Sequence, residues 1–124
     1  MRPFLFFGVA VAVMGSVNGP GVARAAEPRL ASGPARVALV ELYTSEGCSS
    51  CPPAERWLGE LREAPGLWRD FVPVAWHVDY WNRLGWPDRF SAKEFTDRHY
   101  AVAAAWRGAS VYTPCIVRDG EEWR

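Results

Sequence analysis

Lysine is almost missing from this sequence: Lys93 stands alone beside 13 arginines in a chain of 124 residues. Charge of one sign is missing too, because 14 basic side chains meet 14 acidic ones. A nucleic-acid binder shows a basic excess, so that class drops out. The arginine bias itself reads as codon usage and points to no function. Histidine occurs twice and cysteine three times, few for a tetrahedral zinc site, which usually takes two cysteine pairs or a Cys-Cys-His-His set. No apolar run reaches the roughly 20 residues that a membrane span needs. There is no internal repeat and no low-complexity tract. What is present is a chain 49% hydrophobic and 14% aromatic with seven Trp, a composition that buries one core and excludes disorder.

The N-terminus reads as an address. Arg2 precedes an uncharged apolar run from Phe4 to Met14, Gly15 to Gly21 breaks any helix, and Ala23-Arg24-Ala25 is a small-residue cleavage site. That is the pattern of a secretory signal peptide over residues 1–25. Cleavage would remove Arg2 and Arg24 but no acid, leaving a mildly acidic mature chain in the periplasm or outside the cell, without a stable membrane anchor. Disulfides persist there, and the cysteines become redox candidates. Residues 26–36 carry two Pro and a Gly without periodicity and read as a linker.

A single domain is expected over 37–124. Val37 to Tyr43 has the length and flanks of a buried strand. Pro53 to Ala64 carries Trp57, Leu58 and Leu61 on one helical face, stopped by Pro65-Gly66. Phe71 to Tyr80 is a second strand entering the loop Trp81 to Asp88. Ser91 and Glu94 form a capping box for a second helix with Phe95, His99, Val102, Ala103 and Trp106 on one face and Gly108 just past its end. Cys115 to Arg118 is a third strand, Asp119-Gly120 a two-residue hairpin turn, and Glu121 to Arg124 the start of an antiparallel fourth. This order is α/β, with parallel strands joined through the first helix.

Cys48-Ser-Ser-Cys51 falls between the first strand and the first helix. Two intervening residues let the sulfurs bridge, and the positive end of a helix favours the attacking thiolate. Cys48, expected to be the more exposed, is the candidate nucleophile, and Cys51 the resolving thiol. Pro52-Pro53 opposes this, since a residue before proline is pushed from helical angles; the helix is expected to start at Pro53, leaving the sulfurs off its end. A structural disulfide is the competing reading. Copper bound by Cys48, Cys51 and His77 is another, thiolates favouring Cu(I). Zinc would have only Cys115, His77 and His99 left to complete a site.

The blocks Val40 to Ala54, His77 to Trp81 with Leu84-Gly-Trp86, and Val111 to Pro114 followed by Asp119-Gly120 together resemble the secreted bacterial thioredoxin-like family catalogued as domain of unknown function 1223. The resemblance implies a thioredoxin-like βαβαββ core, export and a thiol-disulfide role. It places Cys48 and Cys51 in the redox positions and Pro114 in the cis-proline position. The candidate catalytic set is therefore Cys48, Cys51 and Pro114. Thr113, Trp81 and Trp86 are candidate substrate contacts, with Phe90 extending an aromatic wall suited to unfolded polypeptide. The partners implied are protein or small-molecule thiols and disulfides. No cofactor is implied, because the disulfide itself carries the electrons.

Two features depart from the family. Cys115 stands where glutamine is expected, as a third redox partner or, better, a small hydrophobe. A closing C-terminal helix is also lacking. Three or four apolar side chains buried there would contribute about 1.5–3 kcal/mol each, so the chain is expected to be an incomplete, marginal domain. His77 and Asp79 share a strand face as a proton shuttle or as loop-fixing groups, and His99 reads as a satisfied core histidine.

Overall fold

A seven-residue strand with no polar face begins the fold. β1, Ala38–Thr44, is buried along its length except at Leu39, because side chains alternate between two covered faces. The computed structural model describes residues 33–106 and 110–124; the expected signal peptide, most of the expected linker and Gly108 lie outside them. After the cysteine turn, α1 spans Pro52–Glu60 and a 3-10 turn, Leu61–Glu63, continues it. β2, Phe71–His77, then pairs in parallel with β1 from Ala38 opposite Phe71 to Thr44 opposite His77. α2 spans Lys93–Ala104. β3, Cys115–Arg118, pairs antiparallel with β1, and β4, Glu121–Glu122, with β3. The sheet order is β2-β1-β3-β4. This is the mixed α/β arrangement of a thioredoxin-like core, with β1 central.

The two helices serve opposite faces of β1. Thr44 bonds Glu55 of α1, whereas Glu41 and Tyr43 meet Arg98 and His99 of α2. The core on the α2 face gathers Tyr43, Val78, Cys115 and Val117, with Trp76, Trp81 and Trp106 packed against it. β2 is an edge strand, which is why it tolerates Pro73 in its middle. At the hairpin, Asp119 and Gly120 take φ of 53° and 89°, the paired positive angles of a primed turn.

Two helix starts differ from expectation. α1 begins at Pro52 rather than Pro53, with Cys51 as its cap residue in helical angles, φ −77° and ψ −31°. First-turn prolines cost no hydrogen bond, since those N–H groups have no intrahelical acceptor. The capping box of α2 does not form. Ala92 is the cap residue, and the Ser91 hydroxyl instead donates to the Asp88 carbonyl at 2.8 Å and accepts from Asn82 at 2.9 Å. The serine serves the loop, and the helix starts after it.

Candidate functional site

The turn from β1 into α1 is built by its own backbone. The Cys48 amide donates to the Ser45 carbonyl at 3.0 Å, and the Gly47 amide to the Ser45 hydroxyl at 3.1 Å. The Cys51 amide returns to the Cys48 carbonyl at 3.2 Å, and the Glu55 amide to the Cys51 carbonyl at 3.1 Å. These bonds bring the sulfurs together as a Cys48–Cys51 disulfide, with Cα atoms 5.5 Å apart, at the cap of α1. The sulfurs are therefore at the helix end, not off it.

The pair is better covered than expected. Cys48 is 3% exposed and Cys51 0%, so Cys48 is only marginally the more accessible. The fold of the turn explains it: the Ser50 hydroxyl lies 3.5 Å from Cys48 Sγ and 3.5 Å from the Thr113 carbonyl, roofing the bond with an exposed serine. Thr113-Pro114 is a cis peptide, as the family resemblance implied. Cys48, Ser50 and Thr113 thus meet across the gap between the cysteine turn and the entry to β3.

The aromatic candidates divide. Trp81 donates its indole N–H to Thr113 Oγ1 at 2.8 Å and shares with Thr113 a cleft of about 470 Å³ walled by Tyr80, Tyr100 and Tyr112. Trp86 is 63% exposed, and its indole N–H donates to Glu46 at 3.1 Å, two residues before Cys48. Phe90, also exposed, stands edge-on to His77 with centroids 5.4 Å apart. Trp81 flanks the proline loop and Gly47, and Trp86 meets the same turn at Glu46.

His77 does not pair with Asp79. Its Nδ1 meets Asp88 Oδ2 at 2.6 Å, and Asp79 is taken by Thr96. Nor does the structure gather His77 with the cysteines for copper. His77 lines a groove of about 600 Å³ between α1 and β2 that excludes both sulfurs, and no group of three His, Cys, Asp or Glu side chains able to hold a metal occurs among the described residues.

Asp88 went unnoticed in the sequence, yet it ties the site together. This buried carboxylate accepts from the Glu46 amide at 2.8 Å, the Phe90 amide at 2.8 Å and His77. Burial alone would raise its pKa, but the Glu46 amide, His77 and the Phe90 amide together hold it below the usual range. The bond to Phe90, two residues on, is an Asx turn, the one signal of its role available in sequence. Glu55 was also missed; it accepts from the Thr44 hydroxyl at 2.6 Å beneath the turn.

Cys115 is buried with Tyr43, Val78 and Val117. Burial first, and Glu122 second, push its thiol up to about 11, so it behaves as a small core hydrophobe.

No curated protein matches the chain. A crystal structure of an Agrobacterium tumefaciens protein from a structural genomics programme is 43% identical over 65% of this chain, with a TM-score of 0.58. The match spans only 35% of the Agrobacterium chain. Residues 39–124, from β1 through the cysteine turn to β4, match the family described as "Protein of unknown function (DUF1223)", and the chain belongs to that family.

Proposed function

We propose that the protein exchanges thiols and disulfides with polypeptides outside the inner membrane, using Cys48 and Cys51. The observation that carries this reading is the disulfide at the N-terminal cap of α1, facing Thr113 across Ser50. There the helix's positive end stabilises a thiolate, and the entry to β3 offers a backbone carbonyl beside it. In the disulfide state the pair accepts two electrons. A client thiolate attacks Cys48 Sγ, the S–S bond breaks, and Cys51 leaves as a thiolate that takes a proton. A second client thiol, losing its proton, then displaces Cys48, giving a client disulfide and the protein dithiol; the reverse sequence reduces a client. No cofactor enters either direction. Export rests on the leader over residues 1–25, and Trp86 and Phe90 supply exposed apolar surface beside the turn for an unfolded chain.

Cys51→Ala removes the resolving thiol, so mixed disulfides through Cys48 should accumulate in cells and disappear in Cys48→Ala/Cys51→Ala. Absence of trapped species, together with failure of the wild-type chain to reduce insulin disulfides, would overturn the proposal. The near-complete burial of both sulfurs favours a second reading, a purely structural bond. That reading requires a disulfide that mild dithiothreitol leaves intact in the folded chain, whereas exchange requires that it open.

A further inference from the structure

A ring of contacts closes around the disulfide, and Trp81 completes it. Cys48 Sγ lies 3.5 Å from Ser50 Oγ, which donates to the Thr113 carbonyl at 3.5 Å. Thr113 Oγ1 accepts the Trp81 indole N–H at 2.8 Å. Trp81 returns to the cysteine turn at Gly47, where an added β-carbon would stand 3.2 Å from Trp81 Cβ and 3.8 Å from its carbonyl oxygen. Trp81 packs on the core of Tyr43, Val78, Cys115 and Val117 while lining the cleft beside Thr113.

We propose that Trp81 is a positioning residue: it clamps Thr113-Pro114 against the turn before Cys48 and so sets how readily the Cys48–Cys51 bond opens. The proposal rests on the thiol-exchange reading and deepens it. Opening the bond forces two sulfurs from bonding distance to van der Waals separation. That room comes from Cys48 or Cys51, and on the Cys48 side the neighbours are Ser50, which bonds Thr113, and Gly47, which packs on Trp81. The clamp is made in the closed state and favours it. This differs from an aromatic wall, which would act on client affinity and leave the bond's own equilibrium untouched.

The test is equilibration of the full chain with dithiothreitol, read by alkylation and mass. The reagent's thiolate attacks Cys48 Sγ, Cys51 leaves and takes a proton, and the second reagent thiol displaces Cys48, forming the cyclic disulfide and two protein thiols. Trp81→Phe keeps the ring and loses the N–H; Thr113→Val keeps the shape and loses the acceptor. Each should favour the dithiol threefold to tenfold, about 15–30 mV, and speed the reduction. The double variant should shift no further than either single one, because both remove the same bond. Gly47→Ala, which pushes against Trp81 Cβ, should shift the equilibrium the same way, and Trp68→Phe should not shift it.

An equilibrium unchanged within twofold in Trp81→Phe and Thr113→Val overturns the proposal, as do fully additive effects. Should Trp81→Phe fail to fold, Thr113→Val carries the test alone. Dithiothreitol needs no client, so a shifted equilibrium supports the clamp even where trapping finds no partner, and an unshifted one refutes the clamp even where trapping succeeds.

Discussion

Arg98→Met is expected to lower the unfolding free energy by about 2–3 kcal/mol, among the larger effects available to a partly exposed side chain. The cause lies in the middle of the sheet. Glu41 is 1% exposed on the central strand, and its Oε1 accepts from Arg98 Nε at 2.6 Å, Trp76 Nε1 at 2.9 Å and the Tyr43 hydroxyl at 3.1 Å. Arg98 also lies over the Trp76 ring, 5.5 Å from its centroid. Its bond to Glu41 holds the guanidinium above its ordinary pKa, and burial and then the neighbouring Glu41 raise the Tyr43 hydroxyl. Removing the guanidinium strands a carboxylate where water does not reach. The expected loss sits below the ~3–5 kcal/mol typical of a broken buried pair because Arg98 is 41% exposed and its charge is partly screened. Adding Glu41→Gln to Arg98→Met should recover most of the loss, since the amide oxygen still accepts from Tyr43 and Trp76 without a charge to solvate. Urea unfolding decides it: the midpoint should fall at constant slope in the single variant and rise again in the double. A single-variant loss under ~0.5 kcal/mol would place the pair among ordinary surface ion pairs.

The elements of this fold were legible where local chemistry decides them. The apolar run before Thr44, the face set by Trp57, Leu58 and Leu61, and the Asp119-Gly120 turn each depend on a few adjacent residues, and each lies where the pattern predicts. What was not legible depends on partners far along the chain. Glu41 reads as an interruption in an apolar strand; its role exists only because Arg98 arrives 57 residues later. Ser91 has the spacing of a capping box but is claimed by Asn82 and Asp88, so a tertiary bond outcompetes a local one.

The site divides the same way. The two cysteines, Thr113 and the cis Pro114 follow from motif and family resemblance, and the structure brings them together. Asp88 escaped because a single aspartate in a loop carries no signal of the amide and imidazole it will meet. The Cys51 cap at α1 escaped because the angular preference before proline is statistical, and the hydrogen bonds of the turn override it.

His99 should make the fold acid-sensitive in a window of its own. Its ring is fully buried, stacked on Tyr43 with centroids 4.0 Å apart and planes 8° apart, with Tyr80 beyond at 6.5 Å. The expectation of a satisfied core histidine holds for burial, whereas neither ring nitrogen has a hydrogen-bond partner among the described residues. Burial lowers the pKa from 6.5 to about 4. The unfolded chain binds the proton first as pH falls, so stability is complete above about 6.5, erodes through the interval and levels off near 4. The total loss from this group is about 3 kcal/mol. Asp88, whose native pKa is also depressed, acts in the same direction but in a lower window, its stabilisation being lost as pH falls below the ordinary carboxylate range, so the two effects separate. His99→Phe keeps an aromatic ring against Tyr43 and removes both unpaired nitrogens. It should match the wild-type chain within about 1 kcal/mol at pH 7.5 and exceed it by about 3 kcal/mol at pH 4, as read by urea unfolding across that range. Parallel pH profiles for the two proteins would mean that His99 finds an acceptor when charged and that the buried imidazole has no part in acid stability.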